Sequence, residues 1–368
     1  MPLSLGKPTT SCCDPRSASG HFQLQEGSMK RLISAVAGIA LVTACQDFNN
    51  PSAESPEAPS IEAVPEADSA QVQAAASAQI WAVVDMNGNL IHGNRTTGVV
   101  KLGPGQYEVS FNRNLTSCAY VATTRNAYSQ AIQASTAGGH LSANGVYVET
   151  KNQGGGLTDG PFDLVVTCGG TGIRYAVVGY SADLVRSTSG TTLTPLGFGR
   201  YNVRFASPVT GCAYIATLAD PGNALVFNPS GVYTGSGPDA NTVYIETKNP
   251  GGGLQDGVPF HLALICSSTA NARYSVVRAT GVKQRSSSGM TASKPSIGNY
   301  QINSNNLGIS ACATVATRGS VDTAVPFNPG TVEIVPGPTN NSIDVQVRQL
   351  LFFGGALKSL AFHAASVC

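Results

Sequence analysis

Cysteine is the residue type whose spacing points most directly to chemistry in this chain. Six of the nine cysteines fall into three pairs of similar separation, which are Cys118 with Cys168, Cys212 with Cys266, and Cys312 with Cys368. One pair in each of three repeated units, downstream of a secretion signal, predicts three disulfides with these pairings. A zinc site would need cysteines clustered two to four residues apart. None of the six has that spacing, so we predict no metal site.

A histidine pair and a carboxylate pair are the next candidates for catalysis. His261 and His363 each follow a phenylalanine and precede a closing cysteine, but the first unit has Asp163 at that position. We therefore expect these positions to be structural and to face outward from a strand. Glu149 and Glu246 occupy matching positions in different units, so they predict strand ends rather than a catalytic acid–base pair.

Glycine-rich stretches do not predict a phosphate site. Gly154–Gly156 and Gly251–Gly253 lack the Gly-Lys-Ser/Thr and the strand-to-helix context of a phosphate-binding loop, so they predict turns between strands. The sequence also contains no Gly-x-Ser-x-Gly, His-Glu-x-x-His or calcium-loop pattern. Because no catalytic constellation is present, we predict that the protein is not an enzyme and uses no cofactor.

These candidate residues belong to one unit that occurs three times in the sequence. The second copy contains Gly-Phe-Gly-Arg-Tyr-Asn-Val-Arg-Phe at 197–205, Gly-Cys-Ala-Tyr-Ile-Ala-Thr at 211–217 and Pro-Phe-His-Leu-Ala-Leu-Ile-Cys at 259–266. Trp81, Tyr175 and Tyr274 open the three copies and are predicted to pack in a core or between domains. Such self-similarity predicts a tandem array of one structural unit. In the third copy the glycine turn reads Phe352-Phe353-Gly354-Gly355, which predicts that this copy caps the array or contacts a partner, and terminal repeats favour the cap.

Alternation of side-chain polarity predicts β-strands in every copy. Tyr107, Val109 and Phe111 alternate with Glu108 and Ser110, a pattern typical of a strand with one buried face. Six or seven short strands per copy, separated by turn residues, predict a sandwich or small barrel. The predicted fold class is all-β, with three tandem β-sandwich or barrel-like domains, each holding one internal disulfide. The best helix candidate, residues 127–137, shows only a weak pattern.

A secretion and lipidation signal precedes the repeats. Met29-Lys30-Arg31 is a basic start, and the apolar run at 32–42 is too short to span a bilayer. The following Val42-Thr43-Ala44-Cys45 resembles the lipobox of bacterial lipoproteins, in which the cysteine is acylated and becomes the N-terminus after cleavage. The resemblance implies a lipid anchor at Cys45, and Gln46 in place of aspartate implies export to the outer membrane. A signal at this position predicts that translation starts at Met29.

The segment after the signal has the composition of a tether. From Gln46 to Gln79 the chain has six acidic residues, four prolines and no Lys or Arg, which is typical of extended, disordered chain. The predicted organisation is an upstream segment at 1–28, a signal peptide at 29–44, a tether at 45–79, and β repeats at 80–170, 171–269 and 270–368.

Charge and aromatic residues restrict the kinds of partner. Charged residues make up 12% of the chain and the net charge is +1, about half the charged share of an ordinary soluble domain. Lys and Arg form no concentrated stripe, so we exclude nucleic acid as a partner. Tyr147 and Tyr244 are the candidate ligand-binding residues, because matching strand tyrosines could form an exposed platform for a glycan or protein.

The repeat as a whole resembles an uncharacterised repeat of secreted bacterial proteins, on the strings quoted above and across residues 80–368. Its Gly-x-Gly-x-Tyr-x-Val-x-Phe stretch is also similar to β-domains at phage tail-fibre tips. Neither resemblance implies an active site. We expect a lipid-anchored envelope protein, facing the periplasm or the exterior, that acts in adhesion or in binding a glycan or surface protein. The alternatives are a purely structural envelope or matrix component and, last, a secreted hydrolase.

Overall fold

Strands account for nearly all regular structure in the computed structural model of this chain. The structure describes residues 79–125, 133–224, 231–305, 307–323, 329–349 and 355–368. Within these ranges there are 24 β-strands and one 3₁₀ helix, Ile309–Ala311, and no α-helix. The all-β prediction is confirmed. The helix candidate is wrong where it is described, because residues 133–137 lie in a strand.

The first repeat is a sandwich of two antiparallel four-stranded sheets. Its strands are β1 Gln79–Val84, β2 Leu90–Asn94, β3 Thr96–Gly103, β4 Gln106–Phe111, β5 Ala119–Thr124, β6 Gln133–Gly138, β7 Gly145–Lys151 and β8 Phe162–Thr167. One sheet has the order β2-β1-β8-β5 and the other the order β3-β4-β7-β6. Polarity alternation does not detect β2, which is largely exposed, or β6, which is built of small residues.

The second and third repeats follow the same plan, except that one sheet of each is joined to the other in a single eight-stranded sheet. The strands of the second repeat are β9 Arg174–Val178, β10 Leu184–Ser187, β11 Thr192–Pro195, β12 Arg200–Arg204, β13 Cys212–Leu218, β14 Gly231–Ser236, β15 Thr242–Lys248 and β16 Phe260–Cys266. Those of the third repeat are β17 Ala272–Val277, β18 Lys283–Ser286, β19 Met290–Ser296, β20 Asn299–Ser304, β21 Ala313–Thr323, β22 Gly330–Pro336, β23 Ser342–Gln349 and β24 Phe362–Val367.

Each sandwich buries its own apolar core between its two sheets. In the first repeat Tyr107, Val109 and Phe111 of β4 lie in that core together with Phe162 of β8. The alternating pattern of this strand therefore predicted its buried face correctly. Burial of large apolar side chains is the main term that stabilises such a sandwich.

A disulfide closes each sandwich at the same end. Cys118–Cys168, Cys212–Cys266 and Cys312–Cys368 are all formed, with sequence separations of 50, 54 and 56 residues. In the second repeat the two cysteines are direct partners across β13 and β16. The three predicted pairings are confirmed. Loops of this length could contribute roughly 4 kcal/mol each in the chain-entropy account of disulfide stabilisation.

The Gly-x-Gly-x-Tyr stretch forms a hairpin tip in which the second glycine is sterically required. Gly105, Gly199 and Gly298 have φ values of +66°, +66° and +70°. A Cβ atom at these positions would lie 2.5 to 2.7 Å from backbone atoms of the same repeat. Only glycine accepts both the left-handed conformation and this close approach, so the repeated glycine reflects backbone packing.

The three repeats are connected in a closed ring rather than a linear array. β14 pairs in parallel with β21, and isolated parallel bridges join Thr136 to Ala219 and Arg125 to Ile334. Repeat 1 therefore contacts repeat 2, repeat 2 contacts repeat 3, and repeat 3 contacts repeat 1. The prediction that the third copy caps an open array is wrong for this reason. Phe352 and Phe353 lie outside the described residues.

A central apolar cluster fills the space that the three repeats share. Trp81 and Val83 of repeat 1 meet Ile215 of repeat 2 and Tyr274 of repeat 3 in this cluster. Tyr175, the equivalent of Trp81, packs with Ala119 of the first repeat. The predicted packing role of the three opening aromatic residues is confirmed. We call the sheets that contain β1, β9 and β17 the inner sheets. The face of each inner sheet that points away from its own sandwich core is thus buried against a neighbouring repeat.

Candidate functional site

Three threonines at the centre of the ring hydrogen-bond to the neighbouring repeats. We call this arrangement the threonine interlock, formed by Thr123, Thr217 and Thr317. Each Oγ1 accepts the N–H of an alanine in another repeat at 2.8 to 2.9 Å and donates to the carbonyl of that same alanine at 2.9 to 3.2 Å. The three alanines, in the same order, are Ala316, Ala122 and Ala216. The Ala-Thr dipeptide that all three copies share closes the ring.

The side chain at the repeated histidine position adds one more hydrogen bond to each of the three contacts between repeats. His261 Nδ1 accepts the backbone N–H of Tyr120 at 2.9 Å, and His363 Nδ1 accepts that of Tyr214 at 2.9 Å. At the third contact Asp163 Oδ2 accepts the N–H of Thr314 at 2.7 Å. All three acceptor side chains are fully buried. Their structural role is as predicted, but the expectation that they face outward is wrong, because a neighbouring repeat covers that face.

Burial controls the protonation of these histidines. It lowers the pKa of His363 to about 3, and the positive charge of Arg285 acts in the same direction. The pKa of His261 is likewise held well below its usual range by burial and by Arg186. Both imidazoles are therefore neutral at pH 7 and can accept a hydrogen bond through Nδ1.

The contact between repeats 3 and 1 differs chemically from the other two. There Asp163 forms a buried ion pair with Arg125, whose Nη1 lies 2.9 and 2.8 Å from the two carboxylate oxygens. Arg125 Nη2 also donates to the carbonyl of Ser310 in the third repeat. A neutral histidine at two contacts and a charged pair at the third make the ring-closing interface distinct.

Tyr147 and Tyr244 do not form an exposed platform. Only 1% and 6% of their surface is accessible. The imidazole of His140 stacks on the ring of Tyr147 with 3.8 Å between centroids, and the phenol donates to Glu149 at 3.0 Å. Tyr244 donates to Glu246 at 2.8 Å in the same way. The prediction that these tyrosines are exposed for ligand binding is therefore wrong.

The neighbouring Glu and Lys residues are buried ion pairs. Lys151 Nζ lies 2.9 Å from Glu149 Oε2, and Lys248 Nζ lies 3.1 Å from Glu246 Oε2. Each pair lies on one face of one strand, because residues two positions apart on a strand point to the same side. Glu149 and Glu246 therefore neutralise lysines within their own repeats.

In each triple-glycine turn the backbone N–H groups donate to the side chain of a preceding asparagine. Asn152 Oδ1 accepts the backbone N–H groups of Gly154 and Gly156 at 2.9 and 3.0 Å. Asn249 Oδ1 accepts the N–H of Gly253 at 3.0 Å in the second repeat. These amides already have a protein acceptor, so the turns are structural, as predicted.

A cavity of about 70 Å³ lies beside the threonine interlock, where the three repeats meet. Its lining comes from the last residues of β5 and β13, from the middle of β21, and from the first residues of β6, β14 and β22. The sequence did not predict this site, because its residues are distributed over three repeats. The only available signal was that positions following the repeated Ala-Thr differ between copies: Thr124, Leu218 and Arg318.

The lining of the cavity contains both polar and apolar side chains. Thr124 and Thr331 contribute hydroxyl groups that have no hydrogen-bond partner in the described part of the chain. Arg318 is the only charged residue among the described lining residues, and burial lowers its pKa to about 10, so it remains a cation at neutral pH. Leu218 and Val232 of the second repeat and Val332 of the third supply the larger aliphatic side chains.

Within the described ranges, no cluster of three or more His, Cys, Asp or Glu residues could hold a metal ion. No helix in those ranges has the length and apolar character needed to cross a membrane. Cys45 and the predicted signal peptide lie outside the described residues, as does the tether except for Gln79, which begins β1.

Comparisons of the chain with protein-family models, with curated proteins and with solved structures find no match.

Proposed function

We propose that this chain is a binding protein of the bacterial envelope, anchored through Cys45, with the ring of three β repeats as its ligand-binding head. Its ligand is a glycan or a surface protein. The predicted tether at 45–79 would hold the head away from the lipid surface.

Closure of the ring is the observation that carries this proposal. A structural envelope component must extend from copy to copy, and heterologous contacts extend only when they do not close on themselves. Here β5, β13 and β21, each the outermost strand that its own repeat gives to its sheet, are covered by the next repeat of the same chain, and β21 also pairs with β14. An edge that is already capped offers no template for another chain. This supports a discrete head over a self-assembling matrix component.

The chemistry of the cavity supports recognition over catalysis. Its described lining contains threonine hydroxyls, Gln133, Tyr233, one arginine and aliphatic side chains, and no histidine or carboxylate. General acid–base catalysis needs a group that exchanges a proton near neutral pH. A cation with a set of hydroxyl groups is instead suited to holding a polar ligand in one orientation.

The binding function is tested with the full chain carrying Cys45→Ala, purified and applied to glycan arrays and immobilised envelope or host-surface proteins. We expect saturable binding to one class of ligand. A second chain combines Cys45→Ala with Thr217→Val, which disrupts the interlock. We expect it to bind the same ligand more weakly than the chain with Cys45→Ala alone. Absence of any ligand together with filaments in electron micrographs would instead support the structural alternative.

The anchor is tested separately in cells supplied with a labelled fatty acid. The wild-type chain should incorporate the label and sediment with membranes, because the lipobox cysteine is acylated. Cys45→Ala should do neither. A wild-type chain without label would remove the lipid anchor from the proposal and leave the head unaffected.

A further inference from the structure

We propose that the cavity beside the threonine interlock binds a carboxylate group, either free or carried by an acidic sugar. This inference rests on the proposed binding function and names the chemistry that the head recognises.

The size of the cavity fits a small functional group. A volume of about 70 Å³ compares with roughly 10 to 15 Å³ for each water-sized group and with 150 Å³ for a cavity that holds benzene. A carboxylate with one or two attached carbon atoms therefore fits. A whole sugar ring does not, so an acidic sugar would insert its carboxylate and leave its ring outside.

The charge of the lining favours an anion. The 17 described lining residues include one cation, Arg318, and no Asp or Glu. Arg318 is 4% exposed, and its Nη1 donates to the carbonyl of Ala361 at 2.9 Å. In a buried site a fixed guanidinium attracts a carboxylate more strongly than it would in water, and guanidinium geometry matches a carboxylate well.

Two hydroxyl groups add direction to that charge. Thr124 is 1% exposed, and neither its Oγ1 nor the buried Oγ1 of Thr331 has a hydrogen-bond partner among the described residues. The interlock threonines differ, because each of their hydroxyls already both accepts and donates. Since buried polar atoms in proteins are normally hydrogen-bonded, Thr124 and Thr331 are available to donate to a carboxylate.

The three repeats contribute unequally to the cavity. Thr124, Leu218 and Arg318 occupy the same position after the interlock threonine in repeats 1, 2 and 3. The cation and the two hydroxyls that have no partner among the described residues thus come from repeats 1 and 3, while repeat 2 adds the aliphatic Leu218 and Val232. A carboxylate that meets these polar groups and has its carbon atoms against aliphatic lining matches this composition.

Isothermal titration calorimetry of the full Cys45→Ala chain with acetate, glucuronate and glucose tests the inference. We expect acetate or glucuronate to bind and glucose not to bind. Tighter binding of glucuronate would identify an acidic sugar as the source, and equal binding would identify the free carboxylate. Binding of glucose as tight as that of glucuronate, or no binding of either carboxylate, would overturn the proposal.

Four variants locate the site. Thr124→Val should weaken carboxylate binding by about 2- to 10-fold and Arg318→Gln by more than about tenfold, the usual effects of losing a neutral and a charged hydrogen bond. Exposed Thr194→Val and Arg200→Gln are the matched controls and should leave binding unchanged. Unchanged binding in both Thr124→Val and Arg318→Gln would place any carboxylate elsewhere.

Folding and function are separated by two further measurements. If Arg318→Gln lowers the melting temperature, its loss of binding could reflect unfolding. Arg318→Lys is then measured as well, and we expect it to retain part of the binding because it keeps the positive charge. If both cavity variants are folded and still bind their array ligand like the wild type, the carboxylate inference fails while the proposed binding function stands.

Discussion

His261 of the second repeat hydrogen-bonds the backbone of Tyr120 in the first, with 2.9 Å between Nδ1 and the amide nitrogen across 141 positions of sequence. The imidazole ring also packs on the ring of Tyr120 with 5.0 Å between centroids. A side chain of the second repeat thus accepts a hydrogen bond from a backbone N–H on the outermost strand of a sheet in the first repeat. An unpaired strand edge is a hazard for aggregation, and this contact removes it within the chain.

The interlock predicts a large stability cost for an isosteric change. Thr217→Val keeps the shape of the side chain but leaves the buried N–H and C=O of Ala122 without their partner. We expect a loss of about 1 to 3 kcal/mol in the free energy of unfolding, measured by urea denaturation. The exposed change Thr194→Val should stay within about 0.5 kcal/mol. Equal effects would show that the interlock is energetically unimportant.

The buried histidines predict acid sensitivity. The pKa of His363 in the folded state is about 3, below its ordinary value of 6.5, with Arg285, Tyr214 and Ser320 facing the ring. The unfolded chain therefore binds the proton more readily, so stability is present above pH 6.5 and falls as pH drops toward 3. Melting temperatures between pH 7 and pH 4 should decline less steeply in His363→Asn, whose amide oxygen can still accept a hydrogen bond. A slope identical to that of the wild type would contradict this.

The buried ion pair between Asp163 and Arg125 predicts that Asp163→Asn destabilises the protein far more than the same change at the exposed Asp239. Asp163→Asn leaves Arg125 buried without its counter-charge, which usually costs about 3 to 5 kcal/mol. Asp239→Asn, which removes the exposed partner of Arg204, should change the free energy of unfolding very little. Urea denaturation of both variants measures the difference. Gel filtration of Asp163→Asn should also reveal oligomers if the pair directs closure within one chain.

Glu333 should make the stability of the protein depend on pH in the opposite direction to His363. Burial raises the pKa of this carboxyl to about 7, although the positive charge of Arg348 opposes the shift. A folded-state pKa above the unfolded value stabilises the protein at low pH, and that contribution is lost as pH rises through 7. Glu333→Gln should therefore gain stability relative to the wild type at pH 8, on the order of 1 to 3 kcal/mol. Thermal unfolding at pH 8 and pH 5 checks this, since the advantage should shrink at the lower pH.

The sequence by itself determined the contents of each repeat. Alternation at Tyr107, Val109 and Phe111 identified a strand and its buried face, because side chains on a strand change sides at every residue. The cysteine pairs identified the disulfides, because only one pairing repeats in all three copies. Both signals are local to one repeat.

Only the tertiary structure decided what the second face of each inner sheet meets. Periodicity shows which face a residue occupies, and it contains no information on whether water or another repeat covers that face. His261 was therefore expected to be exposed, yet it lies between repeats. Tyr147 was misjudged for a similar reason, since His140 covers its ring. The cavity could not be predicted either, because it exists only where Thr124, Leu218 and Arg318 of three repeats meet.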